Sequence, residues 1–339
     1  MSTKTSKAVF INTDLDLYFD TIQVSEPADD EVLIRVRYTG ICGSDIHYFH
    51  EGRVGDNVIR SPHILGHESS GEIVQVGNDV ANLAVGDHVA IEPGVPCMKC
   101  SYCLEGHYNL CQSVQFLGAP PYPGSFREYL RHKAIFTHKL PDGINLKTGS
   151  LIEPLAVGYN TVTKLALHPS ARVLITGAGP IGISTMLIAR AAGARVTIVD
   201  VNDYRLEIAR ALGADETFNA NSSEIETDIY DCAVEASGNV KAFETLKNGV
   251  RKASNIVLVG MTSDELCLNV NALLKKDLSI LTVYRYANHF QPVIDMLASG
   301  TIITDGIITH EFGIGEIFKA FEFATDPAEQ KMKIVVNFD

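Results

Sequence analysis

Four cysteines crowd into one short stretch: Cys97, Cys100, Cys103 and Cys111, with the spacing C-x2-C-x2-C-x7-C. Thiolates this close in sequence can fold around one tetrahedral zinc ion, and four sulfurs leave no position open for water, so the expected site is structural. A second set is more dispersed. Cys42, in Cys42-Gly43-Ser44-Asp45-Ile46-His47, and His67, in Gly66-His67-Glu68, join a carboxylate, Glu68 or the Glu153 of Glu153-Pro154, to offer soft, borderline and hard ligands. Three protein ligands and one open position would make a catalytic zinc, with the open position for the reacting oxygen. Spacing alone does not join these residues.

The third pattern is Gly177-Ala178-Gly179-Pro180-Ile181-Gly182, with Asp200 18 residues beyond Gly182. In such a loop the first glycine permits a tight turn, the second admits a pyrophosphate against backbone, and the third lets helix and strand pack closely. The helix N-terminus then offers unpaired N–H groups to the phosphates. Asp200 would bind the ribose hydroxyls of an adenosine and repel a 2′-phosphate, which favours NAD over NADP. Arg205, five residues on, is a residue type that can accommodate that phosphate.

These residues need elements to hold them. Residues 7–91 carry short Val- and Ile-rich runs with period-two alternation, such as Val32, Ile34 and Val36, which predict antiparallel β-structure. The tract 92–123, rich in Cys and Pro, lacks periodicity and reads as a lobe stapled by metal. From about residue 151 the style changes. Apolar runs at 172–176, 195–200, 231–236 and 255–260 alternate with helical patterns, one carrying Ile183, Leu187, Ile188 and Ala191 on one face and another at 204–212. That alternation predicts a parallel sheet. A helix pattern after residue 284 and an apolar run at 334–336 close the chain.

Composition narrows the functions. The 339 residues suit two domains, and 46% hydrophobic with 20% charged residues is a globular mixture. A net charge of −13 repels phosphate backbones and anionic lipid, so neither nucleic acid nor a membrane is an expected partner. No apolar stretch approaches a bilayer span and residues 1–10 lack a secretory core, so the expected location is cytoplasmic.

The sequence Gly66-His67-Glu68-Ser69-Ser70-Gly71, then Val76-Gly77 and Gly86-Asp87-His88-Val89, resembles the zinc signature of the medium-chain alcohol dehydrogenases. The Cys quartet and the glycine fingerprint follow in that family's order. The stretches 42–48, 50–56, 151–155 and 284–288 look most like its sorbitol and xylitol dehydrogenase branch. The resemblance implies an α/β protein: a GroES-like, β-rich catalytic domain (1–150 and 286–339) and a Rossmann doubly wound parallel-sheet coenzyme domain (151–285), with the active site in the cleft. It implies two zinc ions per chain, one held by the quartet and one by Cys42, His67 and Glu68, with Glu153 beside the water ligand or exchanging with Glu68. It also implies NAD as coenzyme and a homodimer or homotetramer.

The implied reaction is oxidation of a secondary hydroxyl of a polyol to the ketose. Ser44 would take the alcohol proton and pass it through ribose hydroxyls to His47, with Asp45 fixing the tautomer of His67. Tyr48, Phe116, Arg285 and Tyr286 match positions lining the polyol pocket of that branch. A sugar acid, butanediol or threonine would suit the same zinc and fingerprint, and a catalytically silent NAD-binding structural protein is the rival of a different class.

Overall fold

A computed structural model of the chain describes residues 3–262 and 264–339. Contacts divide the chain into two compact units. The first comprises Met1–Glu153, Phe290–Ile294 and Ile308–Asp339, and the second Pro154–His289 with Asp295–Ile307.

In the first unit a seven-stranded, mostly antiparallel sheet runs in the order Thr137–Lys139, His88–Ile91, Glu68–Val76, Glu31–Gly40, Lys333–Asn337, Ile308–Gly313, and Tyr129–Lys133 also pairs with Glu31–Gly40. The alternation read from the sequence appears directly: Val32, Ile34 and Val36 are all fully buried in the core. The stretch 7–91 is not wholly β, however. Helix Gly43–Glu51 interrupts it, its C-terminus closed by Gly52 in the left-handed conformation (φ 67°). The cysteine tract leaves from the two-residue strand Gly94–Val95 and returns at Gln115–Phe116, which pairs with it.

The second unit holds a six-stranded parallel sheet in the order Glu216–Asn219, Arg195–Asp200, Arg172–Thr176, Tyr230–Glu235, Val250–Leu258, Ser279–Thr282. Numbered along the sheet this is 3-2-1-4-5-6, the doubly wound dinucleotide-binding order. The expected helix after residue 284 starts only at Phe290, because Arg285 (φ 54°) and Asn288 (φ 63°) take left-handed backbone that no helix admits. Among the described residues no helix is long and apolar enough to cross a membrane.

Candidate metal and dinucleotide sites

Cys42 is the cap residue ahead of helix Gly43–Glu51, and its N–H donates to Asp45 Oδ2 at 2.9 Å. The other oxygen, Asp45 Oδ1, accepts from the Gly66 N–H at 3.0 Å. One buried carboxylate thus ties together the two segments that carry Cys42 and His67. Gly66 has φ 92°, and a Cβ there would lie 2.9 Å from the Phe126 ring, so only glycine makes the turn that presents His67. The Asp45 reading needs correcting. Its carboxylate is 3.9 Å from His67 Nδ1, within ion-pair range but too long for a hydrogen bond, and its two oxygens accept from backbone amides instead.

Cys42, His67 and Glu68 place one ligand atom each within 4.8 Å of one another. Glu153 is buried in the first turn of helix Ile152–Thr163, and its charge acts on His67. Burial opposes charging the His67 ring, yet Cys42, Asp45 and Glu153 outweigh it and push the imidazole up to about 10. A converging set of sulfur, nitrogen and oxygen donors, two of the three buried, fits a divalent cation.

Behind this cluster lies a residue the sequence did not point to. Lys333 is 2% exposed; its ammonium forms an ion pair with Glu68 Oε2 and donates to the Ile41 carbonyl at 3.0 Å. Between them is Gly40, paired with Glu68 on one side and Val335 on the other. A Cβ on Gly40 would stand 2.2 Å from Glu68 Oε2 and 3.0 Å from Lys333 Cε. The missing side chain makes the room in which the two charges meet.

Ser44 and His47 lie on the helix that Cys42 caps, three residues apart and so on one face. His47 is exposed, and its Nδ1 lies 3.1 Å from Glu51 Oε1, a partner four residues on that the sequence reading missed. Tyr48 is buried on that helix, and the Phe116 ring centroid lies 5.5 Å from that of His67. Arg285 and Tyr286 belong to the second unit, where Tyr286 is buried, the Arg285 guanidinium sits 4.8 Å over the Tyr284 ring, and Asn160 holds the Arg285 carbonyl at 2.7 Å.

All four quartet cysteines are free thiols with sulfurs within 4.8 Å of one another. The Cys100–Cys103 and Cys97–Cys103 separations are 3.4 and 4.0 Å. Both are close to the edge of about 3.8 Å expected of a tetrahedron with zinc–sulfur bonds of about 2.3 Å, and far beyond a disulfide. N–H groups of Lys99 and Cys100 hold the Cys97 thiol down at about 6, favouring the thiolate.

In the second unit the glycine turn joins strand Arg172–Thr176 to helix Pro180–Ala191, with Pro180 at the first helical position and Ile181 after it. Gly177 has φ 95°, and a Cβ on Gly182 would fall 1.8 Å from the Gly177 carbonyl oxygen. Gly179 instead faces open space, its nearest neighbour being the Arg205 guanidinium at 3.9 Å. Asp200, ending the next strand, accepts from the Ala178 N–H at 2.6 Å and the Asn202 N–H at 2.9 Å. Arg205 Nε is buried without a hydrogen-bond partner. An open glycine flanked by a carboxylate and a guanidinium whose Nε has no partner fits a dinucleotide. Sequence reasoning missed Glu235, whose carboxylate accepts from the Ser237 N–H at 2.8 Å and shapes the loop packed against Gly177.

Comparison with known proteins decides the family. Residues 28–142 match the alcohol dehydrogenase GroES-like domain, and residues 180–299 match the zinc-binding dehydrogenase model. The chain is 36% identical to a sorbitol dehydrogenase of Bacillus subtilis, over 97% of this chain and 96% of that one. This chain belongs to the zinc-dependent medium-chain dehydrogenase family, in its polyol dehydrogenase branch. As a member it is an oxidoreductase, α/β in class, with a GroES-like and a Rossmann domain. It is also 36% identical to an L-idonate 5-dehydrogenase of Vitis vinifera, covering 86% of this chain and 84% of the relative. The solved structure of an Escherichia coli alcohol dehydrogenase complexed with NADH superposes with a TM-score of 0.90 at 28% identity, over 98% of this chain and 99% of that one.

Proposed function

We propose that this chain oxidises a secondary hydroxyl of a polyol such as sorbitol or xylitol to the ketose, with NAD as hydride acceptor. The observation that carries the reading is the convergence of Cys42, His67 and Glu68, a mixed donor set of the polyol type, with Glu153 buried nearby. A zinc ion there, when bound, supplies the Lewis acidity that brings an alcohol pKa from about 16 toward about 7, and NAD supplies the hydride acceptor.

The chain's own residues do the rest. Ser44 accepts the alcohol proton, and His47, one helical turn on with its ring open to water, releases it to solvent. Tyr48 and Phe116 wall the pocket beside His67, and the five N–H donors of Arg285, with Tyr286, recognise adjacent hydroxyls. Asp200 selects NAD by disfavouring a 2′-phosphate, and Gly177, Gly179 and Gly182 make the phosphate turn. A second zinc in the Cys97, Cys100, Cys103, Cys111 lobe is structural. We place the protein in the cytoplasm, where such thiols stay reduced, and as a homodimer or homotetramer. Strand Ser279–Thr282 ends its sheet, and Val270 and Leu274 on the helix Val270–Lys276 that precedes it are exposed, which supports association between copies.

Initial rates on sorbitol, xylitol, L-arabinitol, galactitol, L-idonate, butanediol and threonine, measured alongside zinc content, test the reading. Highest kcat/KM on an alditol with two zinc ions per chain is the expected result. A preference for L-idonate, butanediol or threonine rejects the substrate, and one zinc per chain without turnover rejects the activity.

A further inference from the structure

The lobe and the zinc-ligand pocket are joined by one buried carboxylate. Glu92 is 2% exposed and every polar atom it carries is engaged. Its N–H donates to the Phe136 carbonyl at 2.9 Å, and its own carbonyl is met by His132 Nε2 at 2.9 Å. Its carboxylate oxygens are met by His138 Nε2 at 2.8 Å and by the Tyr108 hydroxyl at 2.6 Å. Three of these partners belong to the sheet region 132–138. Only Tyr108 comes from the cysteine lobe, between Cys103 and Cys111, where its ring packs edge-on to Phe136 at 5.7 Å.

What Glu92 holds in place is the strand next to it. The Pro93 carbonyl accepts from the Leu117 N–H at 3.0 Å, and Gly94 pairs with Phe116. A Cβ on Gly94 would stand in van der Waals contact with the Phe116 ring at 3.4 Å, so that ring lies over the strand two residues from the carboxylate. The same ring sits 5.5 Å from His67.

We propose that Tyr108 is a positioning residue for the substrate pocket: by bonding back to Glu92 it closes the lobe onto its own entry strand and fixes Phe116 against His67. This rests on the reading that Phe116 walls the pocket. A hydroxyl-to-carboxylate bond in a buried setting is strong, and its loss leaves a desolvated carboxylate oxygen unsatisfied, a strain relieved by movement of residues 92–94. The lobe thereby acts on the pocket by holding one of its walls, a role separate from metal binding.

The test is Tyr108→Phe in the zinc-loaded protein. Hydrogen exchange at the Leu117 amide should quicken at least tenfold while strand Glu68–Val76 and zinc content stay at parent values. KM for sorbitol should rise about three- to tenfold with kcat changed less than twofold, and Tyr108→Phe should add nothing in a Phe116→Ala background, where there is no ring left to position. Glu92→Gln, with a neutral acceptor, should give a smaller rise in the same direction and serves if Tyr108→Phe does not fold. Unaltered Leu117 exchange, or KM effects that multiply in the double variant, overturns the proposal. If Phe116→Ala raises KM and Tyr108→Phe does not, the proposal alone falls. If Phe116→Ala leaves KM unchanged, the pocket reading falls and takes the proposal with it.

Discussion

The Lys333 ammonium and the Glu68 carboxylate meet across Gly40, both nearly sealed from water at 2% and 1% exposure. A buried pair of this kind adds little net stability compared with apolar packing, but removing one partner leaves an uncompensated charge. Glu68 is also a candidate metal ligand, so Lys333 and a cation neutralise the same carboxylate. Lys333→Met should therefore cost the metal-stripped chain about 3–5 kcal/mol and distinctly less when zinc is supplied. Urea midpoints with chelator and with added zinc measure the difference, and an equal loss under both conditions would show that Glu68 does not ligate the ion.

Gly40→Ala probes the same contact from the other side. The added methyl would fall 2.2 Å from Glu68 Oε2, against a side chain pinned by Lys333 on one side and by its own strand on the other. Forcing the carboxylate aside should cost about 1–3 kcal/mol, and it should lower zinc occupancy at the Cys42 cluster while the cysteine lobe keeps its metal. Zinc content per folded chain is the measurement. Full occupancy in Gly40→Ala would mean the ligand set tolerates a displaced Glu68.

Much of this was legible in the chain itself, for physical reasons. Strands Arg172–Thr176 and Arg195–Asp200 have the bounds their apolar runs predict, because strands covered on both faces leave no polar break in the run. Strand Val250–Leu258 begins earlier than the run from 255 suggests, since Arg251, Lys252 and Ala253 are exposed at its start. Helix Gly43–Glu51 went unread because it is only 9 residues long, and Ile46, Tyr48 and Phe49 are too few apolar positions among polar ones to set a period. Lys333 had no local signal: a single lysine before an apolar run looks solvated, and only pairing of its strand with Glu31–Gly40 brings it to Glu68, 265 positions away. Tyr108 and Glu92 were hidden likewise, because hydrogen bonding between a lobe and a sheet leaves no period in the sequence.

Asp200 offers a prediction on coenzyme choice, since its carboxylate carries both charge and scaffolding. Its oxygens support the glycine turn through Ala178 and the following turn through Asn202, so Asp200→Ala would remove both the charge and the support. Asp200→Asn removes the charge and one of the two acceptors but keeps the other, so it disturbs the turns less than Asp200→Ala. We expect the kcat/KM for NAD to fall about tenfold, the worth of a hydrogen bond to a charged group, while the value for NADP rises with Arg205 near at hand. An NAD-to-NADP ratio equal to that of the parent would count against ribose recognition by Asp200.

His132 sets an acid limit on stability. Burial pushes its imidazole down to about 4, more than the bond from its Nε2 to the Glu92 carbonyl raises it. The unfolded chain takes up a proton near pH 6.5, and the folded chain does so only near 4. Stability is therefore intact above 6.5 and declines as pH falls from 6.5 toward 4, where the unfolded state binds the extra proton. In His132→Gln, whose side-chain amide N–H can donate to the same carbonyl at every pH, that part of the slope should vanish although the molecule is somewhat less stable at neutral pH. Urea titrations at half-unit steps between pH 7 and 4 give the comparison. Parallel curves for parent and variant would mean that His132 is already charged in the fold, and that the carbonyl of Glu92 is held by an imidazolium.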